Sequence, residues 1–204
     1  MYKIGITGSI GTGKTSIANI FALFNIPVFD ADKEIKKILS KTKVREEIKN
    51  IWPIVVENDL INKLKLKSII FSRKREKKKL EKLLYPYLET EKKNFEGKNY
   101  LKKILVYDVP LIYETKSQNN YNLILLANCK PDIQKKRVLK RDKISSSLYE
   151  KILRSQLSFD EKKKFKPKII NTNDLKFIIC VRVVLQLIKI LINLQIKKWK
   201  KIEN

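Results

Sequence analysis

The run Gly8-Ser9-Ile10-Gly11-Thr12-Gly13-Lys14-Thr15 lies between a short apolar stretch, Tyr2 to Thr7, and a segment of helix formers, Ser16 to Phe24. It satisfies the pattern G-x-x-x-x-G-K-[ST] at full length. A strand that feeds a glycine-rich turn points successive backbone amides at one spot, and the following helix adds its positive end to the same anion. The stretch therefore predicts a phosphate loop, with Gly8, Gly11, Thr12, Gly13 and Ser16 lining a nucleotide polyphosphate. Lys14 is placed to reach the β- and γ-phosphates, and the Thr15 hydroxyl stands where Mg²⁺ needs a ligand.

Outward from that loop, strands and helices alternate. Ile26-Pro27-Val28-Phe29 reads as a short second strand ending at Asp30-Ala31-Asp32. Residues 33–99 are highly charged and mostly helical in spacing, which predicts a helical insertion. Ile104 to Val109 and Leu123 to Ala127 are apolar runs of the buried parallel type, and Ile169-Ile170 predicts a last strand before Asn171. Pro131 opens a helix running to about Arg141, followed by a charged segment to Lys166. This order predicts an α/β fold in which a parallel sheet is covered by helices on both faces.

The long apolar stretch Phe177 to Ile196 carries Arg182, Gln186, Lys189 and Asn193 at steps of four, three and four, a single polar stripe on a helix. Crossing a bilayer would strand two cations in lipid at ~2.5 kcal/mol or more each. The expectation is a terminal helix docked on the sheet, with Val184, Leu187, Ile188 and Leu191 opposite the stripe and no membrane partner.

The 204 residues suffice for one such domain, and histidine is absent from them. That excludes histidine-dependent triads and most zinc sites. Cys129 and Cys180 make neither a C-x-x-C unit nor a disulfide framework, and the chain opens directly on its first strand, so a reducing cytoplasm fits. The net charge of +25 comes mostly from lysines spread along the whole chain. Without a local basic module or interleaved aromatics it predicts no specific nucleic-acid partner; Arg73 to Lys79, the densest run, reads as a solvated helix face.

Taken together, these residues resemble the dephospho-CoA kinase family over nearly the whole length. Gly5 to Thr15 follows the family's opening, with Ser9 where a second glycine is common; Asp30-Ala31-Asp32 is intact, and Pro110-Leu111-Ile112-Tyr113-Glu114 matches its Pro-Leu-Leu-x-Glu segment with one swap. Arg137, Arg141 and Gln156 fit its lid region, and Asn171 fits the asparagine after the last strand. Tyr85-Pro86 stands where the family has His-Pro. The resemblance implies one P-loop kinase domain over 1–204, with a substrate-binding insertion over 33–99 and a lid over 137–166. It implies ATP and Mg²⁺ as partners in phosphorylating the ribose 3′-hydroxyl of dephospho-coenzyme A. Substrate contacts are expected from Asp30, Asp32, Pro110, Leu111, Glu114 and Gln156, in a monomer or weak homo-oligomer.

Phosphoryl transfer needs positioning and charge stabilisation, so each side chain can be given a task. Asp32 is the candidate to orient the acceptor hydroxyl and take its proton, and Asp108, at the end of a buried strand, is a possible second Mg²⁺ ligand. Arg137 and Arg141, one helical turn apart, are expected to face the phosphates together. Other roles remain open: helix capping for Asp30 and Asp32, a strand-ending turn for Asp108, a solvated basic helix for the arginines. A GTPase switch is disfavoured. Cys129-Lys130-Pro131-Asp132 imitates N-K-x-D with one mismatch, but none of the five glycines has an aspartate three positions before it. Another small-molecule or nucleoside monophosphate kinase, and a nucleic-acid-binding P-loop ATPase, are the remaining alternatives.

Overall fold

A computed structural model of the chain describes residues 1–200; residues 201–204, the end of the expected domain, lie outside the described residues. Five parallel strands form the central sheet: β1 (Tyr2–Thr7), β2 (Val28–Asp30), β5 (Ile104–Asp108), β6 (Leu123–Asn128) and β7 (Lys168–Asn171), in the spatial order β2-β5-β1-β6-β7. The expected α/β class holds, because apolar strands buried on both faces can only pair in parallel when helices cover each side. One face carries Ile4, Ile6, Ile104, Val106 and Leu125 against Ile17 and Phe21 of α1 (Lys14–Leu23). The alternate residues Phe29, Leu105 and Tyr107 point the other way. There they meet Leu88 and Phe95 of the long helix α5 (Lys74–Lys98).

Between β2 and β5 the chain builds a core of its own. Helices α2 (Ala31–Leu39), α3 (Thr42–Ile51), α4 (Lys63–Ser72) and α5 gather Ile38, Val44, Ile48, Trp52, Leu66, Leu80 and Leu84. Trp52 Nε1 donates to Glu76 Oε2 at 2.8 Å, which ties the end of α3 to the start of α5. The segment is not helical throughout: β3 (Val56–Glu57) and β4 (Leu60–Ile61) form a small antiparallel hairpin. Asn58 and Asp59 both have positive φ, the geometry of a two-residue turn matched to strand twist. After β6 come α6 (Pro131–Asp142), α7 (Ser146–Arg154) and the short α8 (Phe159–Lys163), which starts with a Ser158–Glu161 capping box.

Helix α9 (Lys176–Lys200) ends the described chain, and its docking differs from expectation. Ile179, Val183, Leu187 and Ile190 pack against α1 and the edge strand β7. Leu187 is thus buried as expected, whereas Ile188 and Leu191 are each 45% exposed. The sequence is apolar around most of this helix, so its polar stripe alone could not fix which apolar side turns inward.

Candidate active site

Strand β1 delivers the chain into the loop at the carboxyl edge of the sheet. Gly11 and Gly13 take positive φ, 77° and 88°, and Gly13 caps α1 in the left-handed region, where a Cβ would also press on Thr172. Thr12 is buried and its hydroxyl donates to Ser9 O at 2.8 Å, which holds the loop's curvature from within. Lys14 opens α1, nearly buried, and its Nζ donates to Gly8 O at 2.9 Å and Ser9 O at 3.1 Å. Burial pulls its pKa down, and Asp108 and Asp32 pull it back up. Thr15 and Ser16 follow on the exposed first turn of α1.

The carboxylates arrive by strand register. Asp30 of β2 pairs with Asp108 of β5, which in turn pairs with Ile6, two residues from the loop. Asp108 is 5% exposed; its Oδ2 accepts from Thr15 Oγ1 at 3.2 Å, while its Oδ1 is buried without a partner. Burial pushes its pKa up to about 6, against the pull of Lys14. A buried carboxylate oxygen without a donor, beside the loop hydroxyl, fits a hard cation that takes few protein ligands and keeps its waters. Among the described residues no three acidic or thiol side chains converge on a metal position.

Asp30 and Asp32 divide the roles left open by the sequence. Asp30 caps α2 by accepting from Lys33 N at 2.9 Å, so its side chain is engaged in holding the helix start. Asp32 makes no such bond; it keeps access to solvent while its crowded surroundings raise its pKa, opposed chiefly by Lys14. Its carboxylate therefore lies within the field of the loop lysine.

The arginines separate. Arg137 of α6 turns inward, donating to Thr172 Oγ1 at 3.2 Å and Thr172 O at 2.7 Å beside the loop. Arg141 instead makes a two-pronged pair with its neighbour Asp142, at 2.8 and 2.9 Å, although its charge is still felt at Lys14 and Asp32. The two share a helical side, as expected, but not a partner, because an adjacent carboxylate captures the second.

The region after α7 closes on the loop. Gln156 Oε1 accepts from Ile10 N at 2.9 Å. Glu114 Oε1 accepts from Leu157 N at 2.9 Å and pairs with Lys162 Nζ at 3.0 Å, and Lys162, fully buried, also reaches Pro110 O at 3.3 Å. Glu114 is therefore an anchor for α8 and its approach, with its Oε2 buried and unpartnered, and Pro110 acts through its carbonyl. Leu111 lies half-buried beside them, and Tyr85 is largely exposed on α5. Sequence reading missed Lys162 and Thr172. Thr172 Oγ1 donates to Thr12 O at 2.7 Å and so braces the loop from β7, one position past the Asn171 that the motif marked. Asn171 itself turns its side chain to Asn173 N.

A glycine-rich loop with its lysine, carboxylates on the neighbouring strand tips and a basic helix packed on the loop define a P-loop kinase, a phosphotransferase with a hydroxyl acceptor. Comparison with known proteins narrows this. The chain belongs to the dephospho-CoA kinase family, whose model matches residues 2–176. A dephospho-CoA kinase from Fusobacterium nucleatum is 35% identical over 172 residues, covering 83% of this chain and 89% of that relative. Among solved structures, TT1252 from Thermus thermophilus superposes with a TM-score of 0.79 at 22% identity, covering 92% of this chain and 95% of that one. The dephospho-CoA kinase from Campylobacter jejuni gives 0.63 at 24% identity, covering 91% and 96%. At those identities the superpositions speak for the fold.

Proposed function

We propose that this chain moves the γ-phosphoryl group of ATP to the ribose 3′-hydroxyl of dephospho-CoA, with Asp32 as the residue that orients the hydroxyl and accepts its proton. The observation that carries this reading is the strand register: it sets Asp108 and the Asp30-Ala31-Asp32 turn at the same sheet edge as Lys14. Loop amides and Lys14 would hold the phosphates, and Arg137 or a reoriented Arg141 would meet charge on the transferring group. Asp32 suits the base role because its raised pKa reflects surroundings that disfavour its charge and so favour proton uptake. Thr15 and Asp108 would hold Mg²⁺, which supplies charge neutralisation at the phosphate oxygens when bound.

The insertion built by α2 to α5, 33–99 in the sequence reading, is the proposed acceptor platform; 137–166 is the proposed lid, within which Gln156 accepts from Ile10 N of the loop and Lys162 donates to Pro110 O after β5. A coupled ADP-release assay with dephospho-CoA, AMP, CMP, shikimate and gluconate tests the assignment. Turnover confined to dephospho-CoA is expected. Turnover on a nucleoside monophosphate with none on dephospho-CoA would defeat it.

A further inference from the structure

Helix α9 shows two apolar sides. One docks on α1 and β7; the other faces out, with Ile178, Val181, Leu185, Ile188, Ile192 and Ile196 all exposed, from 39% at Ile178 to 52% at Ile192. Phe177, 75% exposed, and Leu191 widen this strip beyond a narrow two-position seam. The helix is long and apolar enough by length and composition to cross a bilayer, yet its docked side makes it part of the fold. A continuous strip of this length exceeds scattered surface apolarity, since the largest apolar patch on a typical monomer covers about 300–600 Å² and often marks a binding surface. It also lies beyond residue 176, where the family match ends.

We infer that this outer side of α9 seats the protein on an anionic lipid surface, the helix lying in the plane of the interface. Charge selects that occupant. From Leu175 to Lys201 the sequence contains no Asp or Glu, Lys189 flanks the strip, and in sequence Lys197, Lys198, Lys200 and Lys201 bracket Trp199 directly after Ile196. The whole chain carries +25. A second copy would bring like charges together with no acidic partner along the seam, whereas an anionic bilayer complements both the cations and the apolar strip. A broad apolar arc with basic flanks and an aromatic at its end is the pattern of an interfacial helix.

The test is cosedimentation of the full chain with phosphatidylcholine vesicles, with and without about one-third phosphatidylglycerol, at roughly 0.15 M salt. The expected result is binding to the anionic vesicles, weakened at least about tenfold in the triple variant Leu185→Gln/Ile188→Gln/Ile192→Gln, whose turnover in vesicle-free solution stays at the wild-type level. Trp52 is buried, so a blue shift of tryptophan emission on adding anionic vesicles to the wild-type chain gives a second reading, from Trp199. Equal binding by the triple variant would reduce the effect to nonspecific charge, and equal binding to neutral vesicles would remove the anionic requirement; either overturns the inference. So does a dimer in light scattering that the triple variant dissolves while vesicles capture nothing, or retention in the membrane under alkaline extraction, which would mean a spanning helix.

Discussion

Asp108 is a costly residue to bury. It is enclosed at the end of β5 with one oxygen unpartnered, and burial holds its pKa near 6. A carboxyl whose folded pKa lies above its unfolded value of about 3.9 binds more protons in the native state, so metal-free stability falls as pH rises through that window and the penalty is complete above it. Asp108→Asn should therefore raise metal-free stability at pH 8 by about 1–3 kcal/mol, and the gain should vanish below about pH 4. Denaturant titrations in chelator at the two pH values check this, and the same variant should lose Mg²⁺-supported turnover. An unchanged midpoint at pH 8 would show that the carboxylate is better solvated than its burial implies. Thr172 is a residue-scale contrast: it is uncharged and buried, and a braced loop carbonyl gives it a purely geometric part. Nothing in the sequence distinguishes it from any other threonine near a strand end. The loop itself was legible because glycine spacing and a terminal lysine are dictated by the shape of a phosphate.

Elements were legible where one periodicity dominated. The strands of the sheet and helix α6 lie within about two residues of their sequence-read bounds, an ordinary margin for helix and strand ends. The β3–β4 hairpin was not, because two-residue strands show no alternation; only the Asn58-Asp59 turn could have betrayed it. Lys162 was hidden in a chain with 46 lysines and arginines, where one buried cation has no local signature. Its pair with Glu114 pins α8 to the Pro110 segment, and both partners are well enclosed. Lys162→Met should cost about 3–5 kcal/mol, because it leaves the enclosed Glu114 without its partner. The double variant Lys162→Met/Glu114→Gln should recover at least half of that. Denaturant midpoints measure both, and a single variant as stable as wild type would mean that this pair contributes nothing to holding α8 in place. Helix α9 marks the opposite limit: apolar on nearly every side, it revealed its helical nature but not which face turns inward.

At the scale of the whole molecule, two halves meet at one sheet edge. The loop after β1 is the proposed seat of ATP, and the turn after β2 opens the insertion that is proposed to present the acceptor. Fold and family were readable from motif order along the chain, whereas the basic surface and the outward side of α9 only acquire meaning once the packing is known. On the proposed reading the two halves are separable: nucleotide binding would belong to β1, the loop and α1, and acceptor activation to Asp32 at the start of α2. The most direct test is Asp32→Asn, examined by ATP binding and by turnover on dephospho-CoA in the same preparation. ATP affinity should stay within a few-fold of wild type while kcat falls by roughly 10²-fold or more; near-normal turnover would remove Asp32 from the role of base.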